Sequence, residues 1–262
     1  MTRWLGRHLV ARAEVDSTND LAWDALAQGR PDGTIVVADA QRAGRGRSGR
    51  AWHTTPGSGL ALSVALHPDC DRRQFGALAL MAGLALAEGL DTLAVRTRLK
   101  WPNDLLVGER KLAGILCESR RLPVSPRGDA VDAVVIGVGV NVGQRREDFP
   151  VELGAAGVSP TSLQIEGFAV SRERVAALFL NALEPMWTSF QESGRERVLE
   201  RWRARADFWG RPVTVRTASG LLRGEARGLD AEGALLVGLA DGAETTVVAG
   251  DLDVEWPCVE GA

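Results

Sequence analysis

The sequence of 262 residues has no tyrosine, three cysteines, three histidines and only two lysines. Cys70, Cys117 and Cys258 lie far apart and are odd in number, so neither a disulfide framework nor a zinc site is indicated. The other basic residues outside histidine are all arginine. Lys100 and Lys111 are therefore candidates for a role that needs a compact ammonium group, with chance placement as the alternative for either one.

The sequence also lacks a long apolar run and a surplus of positive charge. Its longest apolar stretch, near residues 75–87, is too short to span a bilayer, and its start does not resemble a signal peptide. We therefore expect a cytoplasmic protein without a membrane partner. The net charge of -3 and a pI near 5.7 argue against DNA as a partner, because duplex-binding proteins normally carry a basic balance or a basic face.

Arginine alternates with glycine in one stretch, residues 41–52, which we call the Gly-Arg loop. Gly44, Gly46 and Gly49 are expected to take positive φ angles, so that backbone N–H groups face a ligand flanked by guanidinium groups. Apolar runs on both sides indicate buried strands that anchor the loop. The pattern predicts an anion-binding loop, and a solvated surface loop is the alternative.

The remaining pattern predicts an α+β chain. Alternating or continuous apolar runs indicate strands, spaced apolar residues indicate helices, and the texture after residue 211 is that of a small β-barrel. We expect one domain over residues 1–210 and a second over 211–262. The predicted strands are 4–15, 34–38, 59–66, 95–100, 105–107, 111–118, 133–142, 213–216, 220–226, 234–239 and 245–248, and the predicted helices are 21–27, 74–90, 171–190 and 195–208.

Several polar residues have both a functional and a structural interpretation. Ser17, Thr18 and Asn19 precede a predicted helix and either cap it or face a pocket. Asn141 ends an apolar strand and needs either a ligand or nearby backbone partners. Lys111 begins a strand whose alternate residues can face a pocket, or it is a solvent-facing strand end, and Gly114 permits close approach of a ligand or another backbone.

Five ordered motifs together resemble those of biotin protein ligases, across residues 15–142. They are Ser17-Thr18-Asn19, the Gly-Arg loop from Gln41 to Trp52, Lys100-Trp101-Pro102-Asn103-Asp104, Arg110-Lys111-Leu112-Ala113-Gly114-Ile115-Leu116 and Gly137-Val138-Gly139-Val140-Asn141. The resemblance implies a mixed-sheet catalytic domain of the biotin/lipoate ligase type followed by a small SH3-like β-barrel. Because about fifteen residues precede the first motif, it also implies the ligase-only class without an N-terminal DNA-binding domain.

The resemblance implies ATP-dependent formation of biotinyl-5′-AMP and transfer of biotin to a lysine of a biotin carboxyl carrier domain. ATP with Mg²⁺ is the implied co-substrate, the metal ligands are left open, and a homodimer is possible. Lys111, Arg45, Arg47 and Asp104 would be catalytic, with Asp104 assisting magnesium or the incoming amine. The implied biotin contacts are Ser17, Thr18, Asn19, Gln41, Gly44, Arg45, Lys111 and Gly114, and the implied ATP contacts are Arg47, Trp52, Asn103, Lys111 and Asn141.

The residue chemistry agrees with this resemblance. Hydroxyl and amide groups such as Ser17, Thr18 and Gln41 suit the ureido ring of biotin. A carboxylate and an α-phosphate repel each other, and cationic side chains at the reacting centre would offset that repulsion. Two alternatives remain open: a lipoate or octanoate ligase of the same superfamily, and a nucleic-acid-binding module. The lack of tyrosine counts against the stacking surface that the second would need.

Overall fold

The computed structural model describes residues 1–123, 130–150 and 159–256. Its larger part is built on a seven-stranded mixed sheet with the strand order β1-β2-β3-β7-β6-β5-β4. Only β1 and β2 pair in parallel, and the other neighbours in this sheet are antiparallel. The strands are β1 Leu9–Val15, β2 Thr34–Gln41, β3 Gly59–Leu66, β4 Arg98–Lys100, β5 Asp104–Val107, β6 Arg110–Pro123 and β7 Ala130–Asn141.

Helices cover both faces of this sheet. They are α1 Thr18–Ala27, α2 Leu78–Asp91, α3 Arg172–Ser193 and α4 Glu196–Arg205. Helix α2 is apolar around most of its circumference and packs between the sheet and α3, so most of its residues are buried. Helix α1 lies on the opposite face, where Trp23 and Leu26 pack against Val36 and Val135. Alternate residues of the central strands therefore contact different helices.

The element boundaries differ from the sequence prediction mainly at strand and helix ends. The first strand begins at Leu9, the helix predicted from residue 74 begins at Leu78 after a 3₁₀ turn, and the strand predicted from residue 95 is limited to Arg98–Lys100. Helix α3 is continuous through Pro185. Ser171 is the N-cap of α3, because its Oγ accepts a hydrogen bond from the Arg174 N–H.

The C-terminal part is a five-stranded antiparallel sheet of order β11-β10-β9-β8-β12. Within residues 211–256, the edge strands β11 and β12 do not pair with each other, so a closed barrel is not confirmed. The last strand was missed by the sequence analysis because it is four residues long and begins with alternating aspartates. The strands are β8 Pro212–Thr217, β9 Gly220–Leu229, β10 Leu235–Gly238, β11 Glu244–Val247 and β12 Asp251–Val254.

The two sheets share one apolar core. Phe208, Val213 and Leu235 are buried in the same cluster as residues of α2 and α4. The indole Nε1 of Trp101 also donates a hydrogen bond of 3.0 Å to the carbonyl of Gly233, across the junction. The boundary at residues 210/211 stays a prediction. Among the described residues, no helix has the length and apolar character needed to cross a membrane.

Candidate active site

A cavity of about 700 Å³ lies between β6, β7, the Gly-Arg loop and strand β12. This volume falls in the range of pockets that enclose small ligands, roughly 300–1,000 Å³. All of the residues predicted to form the site line the cavity, except Gly44. These lining residues are Ser17, Thr18, Asn19, Gln41, Arg45, Arg47, Trp52, Asn103, Asp104, Lys111, Gly114 and Asn141.

The floor of the cavity is formed by glycines of two paired strands. Gly114 of β6 lies opposite Gly139 of β7. A Cβ atom on Gly137 would lie 2.2 Å from Oδ1 of Asn19, and one on Gly139 would lie 2.3 Å from Cε2 of Trp52. Both distances are far below van der Waals contact. Glycine is therefore required here, because two side chains of the site rest directly on the strand backbone.

Beside this floor, the first motif forms a hydrogen-bonded network. The Ser63 hydroxyl lies 2.8 Å from Thr18 Oγ1 and 2.7 Å from Asn19 Oδ1, within hydrogen-bond distance of both. The Thr18 backbone N–H and hydroxyl both donate to Oε1 of Gln41, at 2.8 Å and 3.1 Å. Asn19 also donates to the Glu118 carboxylate at 2.8 Å. These buried amides and hydroxyls are fixed in orientation, as a binding site requires.

Ser17 occupies the N-cap position of α1, but its side chain makes no capping hydrogen bond. Of the two interpretations, helix capping therefore holds for the position of Ser17 in the chain but not for its side chain. The backbone conformation at Ser17 is extended, as at other helix N-caps, whereas its buried hydroxyl borders the cavity. A ligand that enters the cavity can use this hydroxyl as donor or acceptor.

Lys111 and Asp104 form an ion pair at the cavity wall. The Lys111 ammonium lies 2.6 Å from Oδ1 of Asp104 and 5.8 Å from the ring centre of Trp52. The same Asp104 oxygen has no hydrogen bond of acceptable geometry within the described residues, so the contact is an ion pair rather than a directed hydrogen bond. The cation thus faces a carboxylate, an indole and open cavity.

The two asparagines predicted to contact ATP hold the backbone around Lys111. The side-chain N–H₂ of Asn103 donates to the carbonyl of Ile115 at 2.7 Å, and that of Asn141 donates to the carbonyl of Lys111 at 3.4 Å. Oδ1 of Asn141 accepts a hydrogen bond from Gln144. The structural interpretation of Asn141, satisfaction by nearby polar groups, is therefore confirmed, and ATP contact stays a prediction.

Three of the four arginines in the Gly-Arg loop are paired with carboxylates. These pairs are Arg42 with Glu14 and Asp16, Arg45 with Asp20 and Glu118, and Arg50 with Asp251. The Arg45–Asp20 contact is bidentate, at 2.6 and 2.7 Å, and it lowers the pKa of Asp20. The same contact raises the pKa of Arg45.

Arg47 is the fourth arginine and has no carboxylate within salt-bridge distance in the described part of the chain. Its Nη1 is buried and has no hydrogen-bond partner there. Burial lowers the pKa of this guanidinium, although arginine stays charged at neutral pH. A buried cation without a partner is costly, so Arg47 is the loop residue best prepared to receive an anion.

Two glycine predictions for the loop are wrong. Gly44 and Gly46 do not take positive φ angles; Ser48 and Gly49 do, at 55° and 74°. Gly44 is buried and does not line the cavity, and a Cβ at this position would lie 2.4 Å from the Trp52 carbonyl oxygen. The Trp52 N–H donates a hydrogen bond of 2.8 Å to the Gly44 carbonyl, so the two backbone segments are paired. Gly44 is thus needed for close backbone approach at the loop base.

The structure also places Lys100, Asp251 and Asp253 at the cavity wall, outside the predicted set of ligand contacts. Lys100 is buried at the cavity wall, 3.9 Å from Asp253, and burial lowers its pKa. Its retention as one of two lysines was the available signal. Asp251 and Asp253 of β12 also line the cavity, and no local pattern links them to the motifs more than a hundred residues earlier. The described residues contain no cluster of three metal-ligating side chains.

Comparison with known proteins adds to this geometry. The sequence model described as "Biotin/lipoate A/B protein ligase family" matches residues 11–141, and that of the "Biotin protein ligase C terminal domain" matches residues 208–254. The chain is 37% identical to biotin--[acetyl-CoA-carboxylase] ligase of Paracoccus denitrificans, over 86% of this chain and 92% of that protein. The chain belongs to the biotin/lipoate protein ligase family.

Two further relatives match more than nine-tenths of this chain. Bifunctional ligase/repressor BirA of Bacillus spizizenii is 34% identical over 92% of this chain and 72% of its own length. The structure of the biotin protein ligase from Aquifex aeolicus in complex with biotin and ATP superimposes with a TM-score of 0.77 and 28% identity, over 95% of this chain and 99% of that chain. This family member therefore has a catalytic mixed sheet and a C-terminal antiparallel sheet like those of its relatives.

Proposed function

We propose that this family member activates biotin with ATP to biotinyl-5′-AMP and transfers biotin to a lysine of a biotin carboxyl carrier domain. The observation that carries the proposal is one cavity that combines a neutral polar network beside its floor with cationic side chains at its wall. Five separate motifs converge on it, and it is large enough for a bicyclic carboxylic acid together with a nucleotide. The named relatives are ligases for biotin or have been solved with biotin and ATP.

The polar network beside the glycine floor is the proposed site for the ureido ring. Ser17, whose hydroxyl makes no capping hydrogen bond, lies next to Thr18 and Asn19, whose positions are fixed by Ser63 and Gln41. A ureido group has two donors and one strong acceptor, so it needs oriented partners of both kinds. The small floor at Gly114 would let the ligand lie against the strands, with Ile115 among the apolar residues around it.

The cationic wall is the proposed site of adenylation. The biotin carboxylate would attack the α-phosphate of ATP, so that one C(O)–O–P bond forms and the bond from the α-phosphorus to the bridging oxygen breaks, releasing pyrophosphate. Lys111, Arg45 and Arg47 line the cavity, and these three cations would offset the repulsion between the two anions. Charges that are held in place before the reaction stabilise the transition state without reorganisation. Arg45 would close over the bound ligand.

Asp104 is the residue proposed to contribute to a magnesium site. Magnesium usually keeps several waters and binds through one or two carboxylates together with substrate phosphates. Asp104 supplies one carboxylate at the cavity, and within the described residues its Oδ1 is ion-paired with Lys111 but makes no directed hydrogen bond. This fits the requirement, and a protein cage of three ligands is not needed. Bound with ATP, the ion would neutralise phosphate charge, while Asp104 would orient Lys111 through their ion pair.

In the second half-reaction, a carrier lysine would attack the acyl carbon of the mixed anhydride. The neutral amine forms a new C–N bond, the C–O bond to phosphate breaks, AMP leaves with the electron pair, and the nitrogen loses one proton to water as the amide forms. No nucleophile of the ligase is required. The remaining predictions keep their earlier grounds: the SH3-like form of the C-terminal sheet and a homodimer are proposed on the resemblance, the boundary at 210/211 on the change in sequence pattern, and the lack of DNA binding on the net charge and the resemblance.

The deciding experiment is biotin-dependent exchange of labelled pyrophosphate into ATP, followed by labelling of a purified carrier domain. We expect exchange with biotin, little with lipoate or octanoate, and none without an acid. Exchange that responds equally to lipoate would favour the other branch of the family. A protein that neither exchanges pyrophosphate nor labels a carrier would contradict the proposal.

A further inference from the structure

Arg50 connects the Gly-Arg loop to the C-terminal sheet. Its Nη2 lies 2.6 Å from Oδ1 of Asp251, the first residue of β12. The backbone N–H and the side-chain Nε of Arg50 both donate to the carbonyl of Arg47, at 3.2 and 3.3 Å. The carbonyl of Arg50 in turn accepts a hydrogen bond of 2.7 Å from the N–H of Gly46. One side chain therefore links a carboxylate of one sheet to the backbone of Arg47.

This link acts on the arginine that has no carboxylate of its own. Arg42 and Arg45 are held by acidic residues close to their own end of the loop, whereas the position of Arg47 depends on the turn that Arg50 closes. That turn includes Ser48 and Gly49 at positive φ, a conformation that a free loop would leave easily. A fixed partner for Arg50 reduces the number of conformations open to the turn.

The carboxylate of Asp251 is itself held firmly. Strand β12 pairs with β8 through residues 251–254, and Leu252 is buried beneath it. Asp251 is about one-third exposed, so it remains accessible to the loop. The charged groups near it include Arg47 and Arg50 of the loop, Arg216 opposite it on β8, and Lys100 and Asp253 at the adjoining cavity wall.

We propose that Asp251 is a positioning residue for retention of the adenylate: by pairing with Arg50 it holds the loop turn that aims Arg47 into the cavity. The C-terminal sheet would thus complete the active site through one ion pair, and this inference rests on the function proposed above. Asp251 contacts neither reacting group. Its loss would increase escape of the adenylate while leaving its formation nearly unchanged.

The test compares Asp251→Asn with Asp16→Asn. Asp16 is the matched control because it also forms an exposed ion pair with a loop arginine, at 2.8 Å, but it does not line the cavity. We expect Asp251→Asn to raise biotin labelling of a bystander protein about two- to fivefold, the size that one exposed pair supports, with kcat for pyrophosphate release within twofold of wild type. Asp16→Asn should match the wild type in both.

Arg50→Gln and the double variant complete a cycle. If the two residues act through each other, the double variant leaks adenylate no faster than either single variant. Additive effects, or an Asp251→Asn variant that matches Asp16→Asn, would overturn the proposal. So would an equal fall of kcat and kcat/KM without increased leakage, because a purely structural defect would reduce the amount of active protein.

A second readout needs no catalysis. Tryptic cleavage within the loop of the ligand-free protein should be faster in Asp251→Asn than in Asp16→Asn or wild type, since neither substitution adds or removes a cleavage site. Equal cleavage rates would show that the Arg50–Asp251 ion pair does not hold the loop, even if the protein had no ligase activity. If the wild type is inactive but Asp251→Asn still speeds cleavage of the loop, the proposed function is contradicted and the role of the ion pair is kept.

Discussion

The two walls of the cavity differ in what holds them in place. The strand floor of β6 and β7 is largely buried and packed, and its glycines admit the side chains of Asn19 and Trp52. The Gly-Arg loop opposite is mostly exposed. It is held by ion pairs to Asp16 just before α1, to Asp20 of α1 and to Asp251 of β12. Packing tolerates little change in volume, whereas exposed ion pairs are weak and screened by salt.

This contrast suggests a division of tasks. The floor strands supply fixed positions for the reacting groups, and Lys111 at the cavity wall shares this support because it lies on β6. The loop can exchange partners, since a ligand anion can compete with a surface carboxylate for each guanidinium. Substitutions in the floor should therefore affect formation of the adenylate or stability, and substitutions in the loop should affect retention. The following variants test that division.

The largest effect is expected for Lys111→Ala. Removing a cation aimed at the reacting anions should lower biotin-dependent pyrophosphate release roughly 100- to 1,000-fold, the cost typical of one lost electrostatic contact in a transition state. No adenylate would form, so bystander labelling should stay low as well. Arg121→Ala is the control, because Arg121 is an exposed arginine of the same strand. Activity in Lys111→Ala close to that of the control would remove Lys111 from its role.

Arg47→Gly should act on retention instead. A charge-assisted contact is worth about 1.5–3 kcal/mol, so we expect adenylate to escape roughly 10- to 100-fold faster, with pyrophosphate release much less affected. Bystander labelling measured beside pyrophosphate release separates the two steps. Arg42→Gly makes the same substitution in the same loop at a side chain paired outside the cavity. If Arg47→Gly abolished pyrophosphate release while Lys111→Ala left it intact, the assigned roles would be reversed.

Gly137→Ala tests the packing of the floor. The added methyl would overlap Oδ1 of Asn19, and overpacking of this kind costs about 1–3 kcal/mol in the free energy of unfolding. Because Asn19 must move, biotin should also bind more weakly, which titration calorimetry can measure beside urea unfolding. Gly143→Ala is the control, since its nearest neighbour would lie 3.5 Å away, an ordinary contact distance. Equal stability of the two variants would show that the floor is less rigid than its packing indicates.

The smallest effect concerns salt and the empty loop. Ordering a glycine-rich loop costs on the order of 1 kcal/mol per residue, so we predict that the empty loop opens and that biotin with ATP closes it. Each exposed ion pair contributes within about 1 kcal/mol. Tryptic cleavage of the loop should therefore rise by a few-fold at most as salt is raised, and ligand should slow it. Cleavage that neither salt nor ligand changes would count against the contrast between the walls.

Local sequence patterns predicted much of the fold and of the site. Apolar periodicity indicated the central strands β2, β3 and β7 and the buried helix α2, because these elements are defined by what they pack against. The ordered motifs indicated the cavity residues, and twelve of the thirteen predicted positions, all but Gly44, border it. The short strands β4 and β12 were less visible because their stability comes from their neighbours rather than from their own composition.

What the sequence by itself determined is the chemistry that is available: an arginine-glycine loop between strands, two lysines among many arginines, and glycines where a strand must be approached closely. What only the tertiary structure decided is how those charges pair. Arg50 meets a carboxylate 201 positions away, Arg45 meets Asp20, and Arg47 is left without such a partner within the described residues. Spacing along a chain specifies neighbours within a helix or strand, but the partner of a surface charge depends on which distant elements the core packing brings together.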